Sequence, residues 1–237
     1  MTLSIPDAHA SHKALLEETC VGNQSLAQWV LEFRTFVQQA SEQADVGHQL
    51  DHITRVAHLA YVIGINENAD LAVVVPAAWL HDAVFVDKRS ADRKQASRYC
   101  AEAALAYLHK LGYPQQYEQA IAHAIEAHSY SAGILAQTLE AKVVQDADRL
   151  DAIGATGIAR TLMLGGQWHS QLYHAADPSA QQRTLDDRTY VLDHFYQKLL
   201  GLFETLQTPT GRSIGASRTQ YMRDFIEQLL AEKNGGC

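Results

Sequence analysis

An all-α fold with little or no sheet is what this sequence predicts, on three observations. Apolar residues recur at steps of three and four along most of the chain, the period of a helix with one buried face. No Asn-Gly or Asp-Gly pair joins two alternating apolar runs, so hairpin signals of that type are missing. Turn chemistry then cuts the pattern into helix-sized pieces. In order, Leu26, Val30, Phe33 and Val37 form the first stripe. His52, Val56, Leu59 and Ile63 form the second. Leu71 to Asp82 is apolar nearly all round and therefore central, with Pro76 expected to start its helix or kink it. Ala101, Leu105 and Leu108 give another helix, ended by Gly112-Tyr113-Pro114. Tyr117, Ile121, Ile125 and His128 give the next, ended by Ser131-Ala132-Gly133. Val143, Asp146, Leu150 and Ile153 share a face, as do Val191, Phe195, Leu199 and Leu202. Tyr221, Phe225 and Leu229 make the last stripe, after a break at Thr208-Pro209-Thr210-Gly211. Residues 1–23 read as an N-terminal segment, at most a loosely attached helix, and residues 24–232 as one domain. Gly165-Gly166 opens a polar loop reaching about Asp187, long enough to be functional or mobile.

Composition narrows the function. The chain has 237 residues and 47% are hydrophobic, enough for a sizeable core. Lys plus Arg is 19 against 27 Asp plus Glu, a net charge of −8, which argues against a nucleic-acid clamp or a binder of anionic membranes. The apolar stretch Leu71–Leu80 is about half a membrane span. Met1 to Asp7 lacks the pattern of a secretory signal, and the 3 cysteines are scattered with no CxxC. A soluble protein of the reducing cytoplasm is expected, and an oligomer is compatible with the sequence. The 12 histidines are the compositional oddity, and the question is which of them face inward.

Helical phase answers that for four residues and suggests a fifth. His52 shares the face of Val56 and Ile63, while His58 projects elsewhere. His81 and Asp82 close the central segment, where ionisable groups are costly without partners. Asp146 is the inward member of its aspartate trio, with Asp148 and Asp151 pointing away. His128 continues its apolar stripe, and His123 does not. Two readings stay open on spacing alone: core residues each with its own hydrogen-bond partner, or ligands of a metal. A mixed set of imidazole nitrogens and carboxylate oxygens suits Mn, Fe, Co, Ni or Zn, and Mg less naturally. Four protein ligands leave an octahedral ion with open positions, which hydrolysis needs.

Asp51-His52, Leu80-His81-Asp82 and Gln145-Asp146 resemble the H…HD…D signature of the HD-domain metal-dependent phosphohydrolase superfamily. His128-Ser129-Tyr130-Ser131, Glu140-Ala141-Lys142, Asp148 to Ala155, Gly157 to Arg160 and His194 to Leu200 extend the match toward the bacterial YedJ/YpgQ-type branch. The resemblance covers about residues 26–230. It implies an all-α HD fold and one divalent metal held by His52, His81, Asp82 and Asp146. It also implies hydrolysis of a phosphate ester or anhydride, with nucleotides, nucleoside triphosphates among them, as the expected substrates. The alternative is a metal-containing helical module that binds or senses a nucleotide without turnover.

Phosphoryl transfer also needs cations for the phosphate oxygens. Arg55 and Lys88 are the preferred candidates, with Arg93, Lys142 and Arg149 behind them. Asp82, His128 and Asp151 are the candidates for catalytic work beside the metal, Asp151 or Asp148 as a base or a supporting partner. His194, His169, His174, His9 and His12 are expected to be structural or exposed, and Trp29, Trp79 and Phe33 to be core.

Overall fold

Residues 15–41, 50–84 and 94–236 are described by the structure, a computed structural model. A short antiparallel hairpin, β1 (Cys20–Val21) and β2 (Gln24–Ser25), precedes nine helices among these residues. They are α1 (Leu26–Ser41), α2 (Leu50–Glu67), α3 (Leu71–Leu80), α4 (Ala96–Leu111), α5 (Glu118–His128), α6 (Leu139–Asp151), α7 (Gly154–Gln167), α8 (Val191–Gln197) and α9 (Pro209–Lys233). Two 3₁₀ turns, Gln115–Tyr117 and Leu199–Thr205, lie between them. The all-α expectation holds. The chain clusters into two compact units, Met1–Gln145 and Asp146–Cys237, with the boundary inside α6.

In the first unit α3 is central: α1, α2, α4 and α5 all pack on it. Nine of its ten residues are buried, as an all-apolar segment requires. Asp70 caps it by accepting the Ala72 N–H at 2.9 Å. Pro76 therefore stands inside the helix rather than at its start. A proline has no N–H to give the carbonyl four residues back, which leaves the Ala72 oxygen without its helical donor. The hydroxyl of buried Tyr113 donates to that oxygen at 2.6 Å. The same burial pushes the Tyr113 phenol well above its ordinary pKa, so it stays a donor.

The hairpin turns on Gly22-Asn23. Only the first of the pair has positive φ (+64°), the sign pattern of a type II′ turn, which favours glycine there. The division drawn at residues 23/24 falls within this turn. Val21 is buried, and its carbonyl accepts the Trp29 indole N–H at 3.0 Å. That bond sets the phase of α1: Trp29, rather than Val30, joins Leu26, Phe33 and Val37 in the core. Trp29 packs edge-on against Tyr113 with ring centroids 5.0 Å apart.

In the second unit α9 packs on α7, and α8 packs on α7. The buried line of α9 is Gly211, Gly215, Thr219, Met222 and Ile226, while Tyr221 is exposed. The stripe expected on Tyr221, Phe225 and Leu229 is thus displaced by one position. Three of the five buried residues are small, so a search for bulky apolar residues picks the neighbouring face. Helix α7 also runs through Gly165-Gly166 to Gln167 instead of ending there. Gly165 marks a close approach: a Cβ on it would stand 2.3 Å from the Val191 side chain. The loop follows, over residues 168–190. It is anchored by Asp193, which is fully buried and takes the Arg183 guanidinium at 2.5 and 2.6 Å and the Asp186 N–H at 2.7 Å.

Among the described residues no helix is long and apolar enough to cross a membrane.

Candidate metal centre

Three helices of the first unit bring four ionisable side chains together. His52 sits in the first turn of α2, 4% exposed, on the face that buries Val56 and Ile63. His81 caps the C-terminal end of α3 and is 0% exposed. His128 ends α5 and is 6% exposed. His81 and His128 are oriented by one device. Each is the residue that finishes a helix, where carbonyls lack helical donors. His81 Nδ1 lies 2.8 Å from the Ala78 carbonyl, and His128 Nδ1 bonds the Ile125 carbonyl in the same way. A carbonyl only accepts, so each Nδ1 carries a proton and each ring turns Nε2, the nitrogen open to a metal, toward Asp82.

All three Nε2 atoms converge on Asp82. His52 and His81 stand 3.7 Å from its Oδ2, and His128 stands 3.6 Å from its Oδ1. The rings meet edge to face, with centroids 5.4 Å apart for His52 and His81 and 4.9 Å for His81 and His128. These N···O separations exceed the usual hydrogen-bond length of about 3 Å. They are near the roughly 3.0–3.4 Å that separates two ligands of one ion at metal–ligand distances of about 2.1 Å. The coordinating atoms of His81, Asp82 and His128 lie within 4.8 Å of one another. Nitrogen donors with fixed tautomers around a carboxylate fit a borderline divalent cation. Burial alone would push Asp82 up, but the imidazoles of His81, His128 and His52 outweigh it and hold the carboxyl well below its usual range.

Asp146, the expected fourth ligand, opens the second unit and is 0% exposed. Its carboxylate accepts the Gln207 N–H at 3.0 Å, the Thr208 N–H at 2.7 Å and the Thr208 hydroxyl at 2.7 Å. Burial pushes its pKa up, and these bonds offset only part of that.

Asp151 differs from expectation in its surroundings. It is 1% exposed rather than turned away, and its carboxylate takes the Arg160 guanidinium at 2.6 Å. Asp151 ends α6, and the chain reverses into α7 within three residues, which returns Arg160 to it. Asp148 is half-buried. Arg149 donates to the Thr205 carbonyl at 2.6 Å. Arg55, one turn beyond His52, and Lys142 on α6 are half-buried. Lys88 and Arg93 lie outside the described residues. His123 is half-buried and accepts the Gln137 N–H at 3.0 Å. His194 pairs with Asp187 at 2.9 Å, and His174 accepts the Asp177 N–H at 3.1 Å.

An HD-domain family model matches residues 50–153. YpgQ of Bacillus subtilis (strain 168) is 35% identical over 202 residues, 84% of this chain and 90% of YpgQ. The chain belongs to the HD-domain family, in its YpgQ-like branch. Among solved HD-domain structures, B. subtilis YpgQ in complex with ADP is similar at TM-score 0.67 and 34% identity, over 87% of this chain and 95% of that one. An HD-superfamily hydrolase from Bacillus thuringiensis gives TM-score 0.68 and 31% identity, over 88% and 98%. The HD match begins at the first residue of α2 and ends two residues after α6, so it contains His52, His81, Asp82, His128 and Asp146.

Proposed function

We propose that this chain is a metal-dependent phosphohydrolase that cleaves a phosphate ester or anhydride bond of a nucleotide, a nucleoside triphosphate pyrophosphohydrolase or phosphatase. The observation that carries the reading is the convergence of three imidazoles on Asp82, two of them with the Nδ1 tautomer fixed, in a family whose solved members include HD-superfamily hydrolases. YpgQ binding ADP supports a nucleotide as substrate class.

His52, His81 and Asp82 hold one divalent cation, Mn, Fe, Co, Ni or Zn ahead of Mg, and Asp146 supplies the fourth ligand that the signature assigns to it. When bound, such a cation lowers the pKa of a coordinated water toward neutrality and polarises a phosphoryl oxygen. His128, with its Nδ1 proton committed to Ile125, offers Nε2 as the acceptor that orients the attacking water. Arg55 and Lys142 neutralise phosphate oxygens, with Lys88 and Arg93 serving the same purpose beyond the described residues. Arg149 and Asp151 are assigned to anchoring, through Thr205 and Arg160 respectively.

The test is a nucleotide panel assayed with Mn, Mg, Co and Ni, scoring phosphate and pyrophosphate separately. Hydrolysis that a chelator abolishes and that Asp82→Ala lacks is expected. Nucleotide binding with no turnover under every metal would favour a sensing module, and full hydrolysis by Asp82→Ala would contradict the metal role.

A further inference from the structure

We propose that Thr208, at the N-cap of α9, is a positioning residue for Asp146. This rests on reading Asp146 as the fourth metal ligand. The Thr208 hydroxyl has two jobs at once. It accepts the Gly211 N–H at 3.0 Å, which caps α9, and it donates to Asp146 Oδ2 at 2.7 Å. Its own N–H adds a second bond to the same oxygen at 2.7 Å. The Gln207 N–H spans both oxygens at 3.0 and 3.1 Å. Side-chain rotation is thereby removed: with Oδ2 tied to Thr208 from two directions, the orientation of Oδ1 is set.

Gly211 keeps the space for this arrangement. A Cβ there would stand 2.5 Å from Asp146 Oδ2 and 2.7 Å from the Thr208 hydroxyl. Thr208 and Gly211 both lie outside the residues matched by the HD-domain model, so α9 completes a device that the HD core alone does not contain. Groups that orient metal ligands this way typically carry a factor of about 10–100 in metal affinity.

The experiment compares full-length wild type, Thr208→Val, Thr208→Ser, Gly211→Ala and Asp146→Ala in competition for Mn(II) with a chromophoric chelator. Each is measured at a temperature where circular dichroism shows it folded. Thr208→Val, which keeps the shape and loses the hydroxyl, is expected to weaken Mn(II) binding about 10–100-fold, while Thr208→Ser stays within about threefold. Gly211→Ala retains the hydroxyl but displaces the carboxylate, and is expected to weaken binding to a similar degree; it carries the test if Thr208→Val does not fold. Tyr113→Phe, destabilised at a site remote in sequence from Asp146, is expected to bind Mn(II) as wild type does. Wild-type affinity in folded Thr208→Val or Gly211→Ala, together with weakened Asp146→Ala, overturns the positioning role and leaves the metal reading standing. Wild-type affinity in Asp146→Ala overturns both.

Discussion

Asp82 in the first unit, 21% exposed, and Asp193 in the second, fully buried, are carboxylates satisfied differently. Asp193 is closed off: a permanent cation, Arg183, meets both oxygens at 2.5 and 2.6 Å, and a backbone N–H adds a third bond. Every interaction is at hydrogen-bond length, and the result is an anchor for the loop over residues 168–190. Asp82 is ringed by three imidazole nitrogens at 3.6–3.7 Å, and two of those rings are committed elsewhere through Nδ1. Separations of 3.6–3.7 Å are too long for hydrogen bonds and suit groups that share a cation. The comparison teaches that burial of an aspartate does not identify a site. The identity and distance of its neighbours do.

The largest expected effect separates the two regions directly. Saturating Mn(II) should raise the Tm of the wild type, since an ion at 100 times its Kd stabilises by about 2.7 kcal/mol. His81→Ala should lose that rise entirely, and Asp193→Ala should keep it, both read by differential scanning fluorimetry. Next, Asp193→Ala itself should lower the Tm of the metal-free protein by roughly 4–8 °C, a loss of about 2 kcal/mol in a chain of this size, because it leaves the Arg183 guanidinium and the Asp186 N–H without their acceptor. A drop confined to His81→Ala would reverse the roles assigned here.

Acid separates them further. Burial pushes the Asp193 carboxyl up, but Arg183 and the Asp186 N–H outweigh it and leave its pKa lowered. A lowered folded pKa means that the pair's stabilisation is complete above the ordinary aspartate value of about 3.9 and is lost as pH falls through the folded value. The Tm gap between wild type and Asp193→Asn should therefore stay constant from pH 7 to about 5 and close only below about 4. Tyr113→Phe comes next, at about 1–3 kcal/mol in urea unfolding, the cost of leaving the Ala72 carbonyl beside Pro76 without its donor. The smallest effect concerns Cys100. Burial first, and the nearby Asp82 charge second, push its thiol up to about 12, so iodoacetamide at pH 8 should label Cys20 and spare Cys100 in peptide mapping.

Much of the first unit was legible in the sequence because its rules are local. Periodicity put His52 and His128 on buried faces, and the all-apolar run ending in His81-Asp82 required a central helix. What escaped notice depends on pairings distant in sequence. Asp151 reads as pointing away from the core and as a candidate base, since nothing local announces Arg160 as its partner, and nothing local announces Arg183 as the partner of Asp193. The phase of α9 was missed because Gly211 and Gly215 are buried for their lack of a side chain, which a hydrophobic stripe does not register. Pro76 leaves a helix start or a kink open in the sequence, because the hydroxyl that compensates it within the helix lies 41 positions from Ala72. Thr208-Pro209 was visible as a break and is a cap, yet its hold on Asp146 spans 62 positions.

The central claim is that the ring of side chains around Asp82 is a working cation site. Equilibrium dialysis against Mn(II), with the bound ion counted by elemental analysis, tests it most directly. The account predicts about one ion per wild-type chain, essentially none per Asp82→Ala chain and about one per Asp193→Ala chain. Equal Mn(II) content in wild type and Asp82→Ala would contradict it.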